Sequence, residues 1–337
     1  MEYTQLGHTG VRVGRLVLGT MNFGPQTDEA TSHDLMDAAL DAGVNFFDTA
    51  NIYGLTEHKG LTEEILGSWF GKGGGRREKV VLATKVYGNM INGEGIVDGS
   101  WPNYDRLSAV NIRRAVEASL RRLGTDHIDV YQFHHVDRNT SFEEIWQAVD
   151  VLIQQGKILY AGSSNFPGYK IAQASETARR GRLGLGLVSE QCLYNLAERR
   201  AELEVIPAAQ EYGLGVIPWS PLHQGLLGGA LRKQAEGSAG NRTTSGRSAA
   251  GLGDPVLRAK VQAYEDLVAK HGLEPGEVAL AWLLTRPGVT GPIVGPRTRD
   301  QLDSALRAVE LVLPEQLLAD LDEIFPGPGP APEAFAW

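Results

Sequence analysis

Residues 128–135 read IDVYQFHH. The run is rich in β-branched and aromatic residues and ends on ionisable ones. Seven more runs of this kind occur: Leu16–Thr20, Val44–Asp48, Val80–Lys85, Ile158–Ser163, Leu187–Gln191, Gly215–Trp219 and Gly291–Gly295. Most are too apolar to keep one face in water, so they read as strands buried on both sides. Between them lie segments of helical period. Ile112, Val116, Leu120 and Leu123 recur at three and four. Ser141 with Glu144 forms an expected capping box, followed by the stripe Ile145, Val149, Leu152 and Ile153 and a stop at Gly156. The segment Asp34–Ala42 closes at Gly43. Further helices are expected over 57–70, 168–180, 200–212, 256–271 and 299–310. Eight strand–helix units in this length fit a (β/α)8 TIM barrel. The rival is a doubly wound sheet, which for a dinucleotide would place GxGxxG after its first strand. That position reads LGTMNFG, residues 18–24, without the pattern.

Three additions are expected outside the eight units. Tyr3–Leu6 and Val11–Gly14 form an N-terminal hairpin that can plug the barrel floor. Residues 228–255, rich in Gly, Ser, Ala and Arg, read as a mobile loop. Residues 313–325 form an additional C-terminal helix. Residues 1–325 are read as a single (β/α)8 domain. Residues 326–337 are a proline-rich, irregular tail whose Phe335 and Trp337 are expected to return to the barrel.

The chain has 337 residues and a net charge of −9, from 32 Lys+Arg against 41 Asp+Glu. That balance argues against nucleic acid or anionic membrane as bulk partners. No apolar run approaches the length of a bilayer span, and the N-terminus lacks a signal-peptide pattern. With Cys192 as the sole cysteine, the expected location is cytoplasmic. A monomer is the default, with oligomeric state left open.

Chemistry in a barrel sits at the carboxyl ends of the strands. Strand two ends on Asp48, strand three on Lys85 and strand four on His134, while Tyr53 lies five residues past Asp48. Neighbouring strands bring these ends together. The set suits protonation of a developing alkoxide, with Tyr53 as acid, Lys85 lowering the phenol's pKa, Asp48 holding Lys85, and His134 orienting a carbonyl. Metal ligation is not expected, because the ligand spacings are wrong.

These residues and their surroundings resemble the aldo-keto reductase superfamily. The likeness runs over roughly residues 3–325. It is carried by RLVLGTMNFG at 15–24, NFFDTANIYG at 45–54, VVLATK at 80–85, SLRRLGTDHIDVYQFHHVD at 119–137 and GSSNF at 162–166. It continues through SEQCLYN at 189–195, IPWSPLHQGLLGG at 217–229 and GPRTRDQLDSAL at 295–306. His135, where many aldose-reductase-like members carry tryptophan, points to the bacterial and potassium-channel-β-like branch. Some motifs also resemble actinobacterial NDP-hexose 2,3-enoyl reductases.

The resemblance implies NADPH/NADP+ as cofactor and a small-molecule carbonyl as substrate. It makes Asp48, Tyr53, Lys85 and His134 the catalytic tetrad. Ser164, Asn165 and Gln191 would bind the nicotinamide carboxamide, and Trp219 would stack on the ring. Ser220, Leu222, Gln224 and Gly225 would meet the pyrophosphate, while Gly19, Thr20, Met21 and Asp48 line the ribose side. Gly295, Arg297, Gln301 and Ser304 would hold the 2′-phosphate and adenine end. Arg297 also stands before a helix start, where phosphate is favoured. A substrate wall of Met21, Tyr87, Trp101, His135 and Tyr194 completes the expectation.

Overall fold

The computed structural model describes residues 1–90, 102–181, 184–237 and 252–336. Trp101 and Trp337, and residues 238–251 of the expected 228–255 loop, lie outside the described residues.

A hairpin of β1 (Tyr3–Gln5) and β2 (Arg12–Gly14) comes first. Eight parallel strands follow: β3 (Val17–Gly19), β4 (Phe46–Asp48), β5 (Val81–Val86), β6 (Ile128–Phe133), β7 (Ile158–Ser164), β8 (Leu187–Gln191), β9 (Gly215–Val216) and β10 (Ile293–Val294). Their order is β10-β3-β4-β5-β6-β7-β8-β9. The ring closes where Thr290 N–H donates to Val216 O at 2.8 Å and Ile293 N–H to Pro218 O at 2.9 Å. The architecture is thus (β/α)8-like. β9 and β10 are shorter than their apolar runs because Pro218 and Pro292 have no amide to give a ladder.

Two layers of core hold the ring. Inside, Val17, Phe46, Ala83, Val130, Val188 and Ile217 meet, and the hairpin adds Leu6 and Val13 as the floor. The hairpin turn needs Gly7. Its φ is +56°, and a Cβ there would stand 2.5 Å from Val188 O. Outside, the strands face the helices α1 (Glu29–Asp41), α2 (Leu61–Gly71), α3 (Arg76–Lys79), α4 (Ala109–Leu123), α5 (Phe142–Gln154), α6 (Gly168–Gly181) and α7 (Val205–Glu211). The later helices are α8 (Ala230–Ala235), α9 (Pro255–Lys270), α10 (Pro275–Leu284), α11 (Arg299–Glu310) and α12 (Glu315–Ile324).

Several expectations change. α10 was not expected as a helix: every residue from Val278 to Leu283 is buried, so it shows no amphipathic period. On α5, Ile145, Val149 and Leu152 are buried, but Ile153 is 36% exposed. The Ser141 capping box is half formed. Ser141 Oγ accepts from Glu144 N–H, whereas the Glu144 carboxylate accepts from Ala109 N–H on α4. Part of the 228–255 stretch is helical, as α8. The tail carries a short helix, α13 (Glu333–Ala336), and Phe335 is 69% exposed rather than returned to the barrel. No helix among the described residues is long and apolar enough to cross a membrane.

Candidate active site

The three strand ends converge as their register requires, with Asp48 beside Ala83 and Lys85 beside Gln132. Lys85 is wholly buried and Asp48 is 3% exposed. The Lys85 ammonium donates to Asp48 Oδ2 at 2.5 Å, to Thr49 O at 2.9 Å and to the Tyr53 hydroxyl oxygen at 3.2 Å. Each ammonium proton therefore has an acceptor, and the phenol proton remains available to the cleft. Tyr53 is brought back over the rim by a turn at Gly54. Its φ is +141°, and a Cβ there would lie 2.3 Å from His58 O, so only glycine fits. The His134 imidazole meets the Tyr53 ring edge-on, with centroids 5.8 Å apart.

The electrostatics separate the groups. Burial raises the Tyr53 pKa more than Lys85 lowers it. The expectation of a depressed phenol pKa is therefore corrected: burial dominates, and Tyr53 holds its proton at neutral pH. For Lys85, burial works against the charge, but Asp48 and Tyr53 outweigh it and the pKa is raised. Burial, then Lys85 and His135, push His134 down to about 2, so its imidazole is neutral.

Two residues absent from the sequence-based set belong to this cluster or its support. Gln132 donates to Asp48 Oδ1 at 2.8 Å, the same oxygen that accepts from Gln191 at 2.8 Å. A glutamine two positions before His134 on a buried strand, and so on the same face, is the signal that points to it. Glu190 is buried behind β7 and β8. It accepts from Ser163 Oγ at 2.5 Å and from Phe166 N–H at 3.1 Å, and burial lifts its pKa to about 8.

A cleft of about 600 Å³ opens above the cluster, within the range of small-molecule and cofactor sites. Tyr53, His134, Asp48 and His135 lie along it, as do Gly19, Thr20 and Met21. Ser164, Asn165, Gln191, Trp219, Ser220 and Gln224 line it too, and Gly295 stands beside Gly19. Asn165 takes φ +59°. Its amide donates to His134 O at 3.0 Å and to Ser164 Oγ at 2.9 Å, while its carbonyl accepts from Trp219 Nε1 at 3.0 Å. Asn165 is thus committed within the protein. Gln191 spends its Nε2 on Asp48 and, at 3.3 Å, on Gln132 Oε1. The cleft is left with the Ser164 hydroxyl proton and the Gln191 carbonyl, on residues that are register partners of β7 and β8. One donor beside one acceptor fits a carboxamide.

Other expected residues stand elsewhere. Leu222 packs on the outer core, and Gly225 borders open space. The amides of His223, Gln224 and Gly225 already donate to Ser220 O, Ser220 Oγ and Leu222 O. Arg297 lies before α11, and its guanidinium has no partner among the described residues, whereas Arg299 pairs with Asp303 at 2.8 Å. Gln301 accepts from Arg297 N–H at 2.8 Å. Ser304 donates to Glu277 at 3.0 Å and so turns away from the cleft. Tyr194 is corrected outright. It is 1% exposed, packs 5.6 Å from Trp282 and donates to Glu202 at 2.7 Å, outside the barrel wall. Tyr87 supports His135 edge-on, with centroids at 5.2 Å.

Comparison with known proteins identifies the family. "Uncharacterized oxidoreductase YrpG" of Bacillus subtilis (strain 168) is 52% identical, over 100% of both chains. "Probable voltage-gated potassium channel subunit beta" of Oryza sativa subsp. japonica is 33% identical, over 93% of this chain and 92% of that one. "Versiconal hemiacetal acetate reductase" of Aspergillus parasiticus is 32% identical, over 96% of each. Residues 15–325 match the aldo/keto reductase family, and with relatives aligned over nearly their whole lengths, the chain belongs to that family.

Proposed function

We propose that this chain is an NADPH-dependent reductase of aldehydes or ketones, with Tyr53 as general acid. The observation that carries the reading is the Tyr53 hydroxyl at the cleft, bonded by a buried ammonium that is itself ion-paired with Asp48. The Ser164 hydroxyl and Gln191 carbonyl would hold a nicotinamide carboxamide against Trp219, and Arg297 a 2′-phosphate. A reduced nicotinamide bound there supplies hydride to the carbonyl carbon. Neutral His134 donates a hydrogen bond to the carbonyl oxygen and orients it. Tyr53 passes its proton to that oxygen as charge develops, and Lys85 stabilises the phenolate left behind. In the reverse direction Tyr53 is the base.

The direct test follows NADPH oxidation with a panel of aldehydes and ketones. Absence of NADPH binding would remove the reading. Binding without turnover would favour a redox-sensing subunit, in keeping with the channel-subunit relative. Turnover confined to a sugar-nucleotide enone would favour an NDP-hexose 2,3-enoyl reductase.

Arg297→Ala should raise the Kd for NADPH by about 10- to 100-fold, the size of a charged hydrogen bond to phosphate. The Kd for NADH should move less than about threefold. Fluorescence titration with both cofactors checks this, and equal shifts would deny Arg297 the 2′-phosphate. The pH profile should also be plain. Tyr53 and Lys85 keep their protons well into alkali, and His134 stays neutral down to about 2. kcat for reduction should therefore be level from about pH 6 to about pH 9. A fall centred near 8 would implicate Glu190 instead of the tetrad.

A further inference from the structure

His134 is followed directly by a second imidazole. The two rings stack face to face, with centroids 4.9 Å apart and planes within 2°. Both line the cleft. No ring nitrogen of either has a hydrogen-bond partner among the described residues, and Tyr87 braces His135 from the side. Lysine and arginine are absent from the described cleft wall, and Lys85 beneath it is committed to Asp48, Thr49 and Tyr53.

A neutral imidazole has one N–H donor and one acceptor nitrogen, as burial dictates for His134 and favours for His135. A hydroxyl has the same pair of capacities. Carboxylates and phosphates only accept, and they are met by cations or guanidinium forks. Two parallel rings at this spacing, each reaching about 2.8 Å to an oxygen, can converge on oxygens carried by adjacent carbons.

We propose that His135 is a specificity-determining residue that binds a hydroxyl on the carbon next to the reacting carbonyl, so that the substrates are neutral α-hydroxy aldehydes or ketones. This rests on the reductase reading, in which His134 holds the carbonyl oxygen. The carbonyl is reduced to the vicinal diol. Its carbon gains hydride from NADPH, which becomes NADP+, and its oxygen gains the Tyr53 proton, which solvent replaces.

The test measures kcat/KM of the full-length enzyme with NADPH for lactaldehyde against propanal, and for succinic semialdehyde against butanal. The wild type should favour lactaldehyde by about tenfold or more, the scale of one well-placed hydrogen bond. It should disfavour the carboxylate of succinic semialdehyde. In His135→Phe, which keeps a flat ring on His134, the lactaldehyde-to-propanal ratio should fall to near unity. His135→Gln, which can still donate and accept, should restore part of it. Equal efficiency toward both aldehydes in the wild type, or an undiminished ratio in His135→Phe, would overturn the proposal while leaving the reductase reading intact. Failure of the wild type to reduce any of the four, while it turns over other aldehydes or ketones, would overturn this proposal alone; failure across the whole aldehyde and ketone panel would overturn the reductase reading with it.

Discussion

Tyr53→Phe should bind NADPH within about threefold of wild type and lose ~10²–10⁴ of kcat, the range of general acid catalysis. The substitution removes one oxygen and keeps the ring. The ring's contacts, edge-on to His134 at 5.8 Å and with Lys85 Nζ 4.9 Å from its centroid, should persist. The groups expected to bind the cofactor, Ser164, Gln191 and Arg297, do not touch the phenol. Lys85 loses its weakest hydrogen bond, at 3.2 Å, and keeps those to Asp48 and Thr49. The loss should therefore appear in kcat rather than in cofactor affinity, and single-turnover NADPH oxidation would locate it in the chemical step. Undiminished turnover would show that another group delivers the proton. His134, neutral down to about 2, would then be the first to examine.

The strand ends were legible in the sequence for a physical reason. A run such as VVLATK is too apolar to sit in water, so a lysine at its end must lie at a rim or be paired. Register then brings it to Asp48. What escaped has causes as definite. α10 is buried on all sides and shows no helical period. Pro218 and Pro292 shorten strands whose apolar runs continue past them. Tyr194 follows Gln191 by three residues, and the side of the wall it takes depends on the path of the chain after β8, which composition does not encode. It turns outward to Glu202 and Trp282. The direction of the Tyr53 pKa shift escaped because the sequence reveals the neighbouring cation but not the depth of burial that outweighs it. Gln132 was within reach. Its alternation with Val130 and His134 faces it inward, and a polar side chain facing inward needs a partner. That partner is Asp48.

The second large effect concerns that carboxylate. Lys85→Met should unfold more easily than wild type by ~3–5 kcal/mol, because it leaves a buried charge without its counter-ion. Asp48 would retain only the amides of Gln132 and Gln191, both on Oδ1, with nothing replacing the ammonium on Oδ2. Activity should fall by about 10² or more, since a phenolate would form with no cation beside it. The informative partner is the double variant Asp48→Asn/Lys85→Met. With neither charge present, most of the lost stability should return, yet kcat should stay as low as in the single variant. Stability and catalysis would then be seen to use the same ion pair for different ends. The pH dependence has a fixed sign. The folded pKa of Lys85 lies above its ordinary 10.5. Its contribution to stability is therefore fully present below that value and is lost as pH rises through the folded one. The gap between wild type and Lys85→Met should be constant across neutral pH and close only in strong alkali. Denaturant midpoints across pH would check both points. A double variant no more stable than Lys85→Met would show that lost packing, rather than the stranded carboxylate, sets the cost.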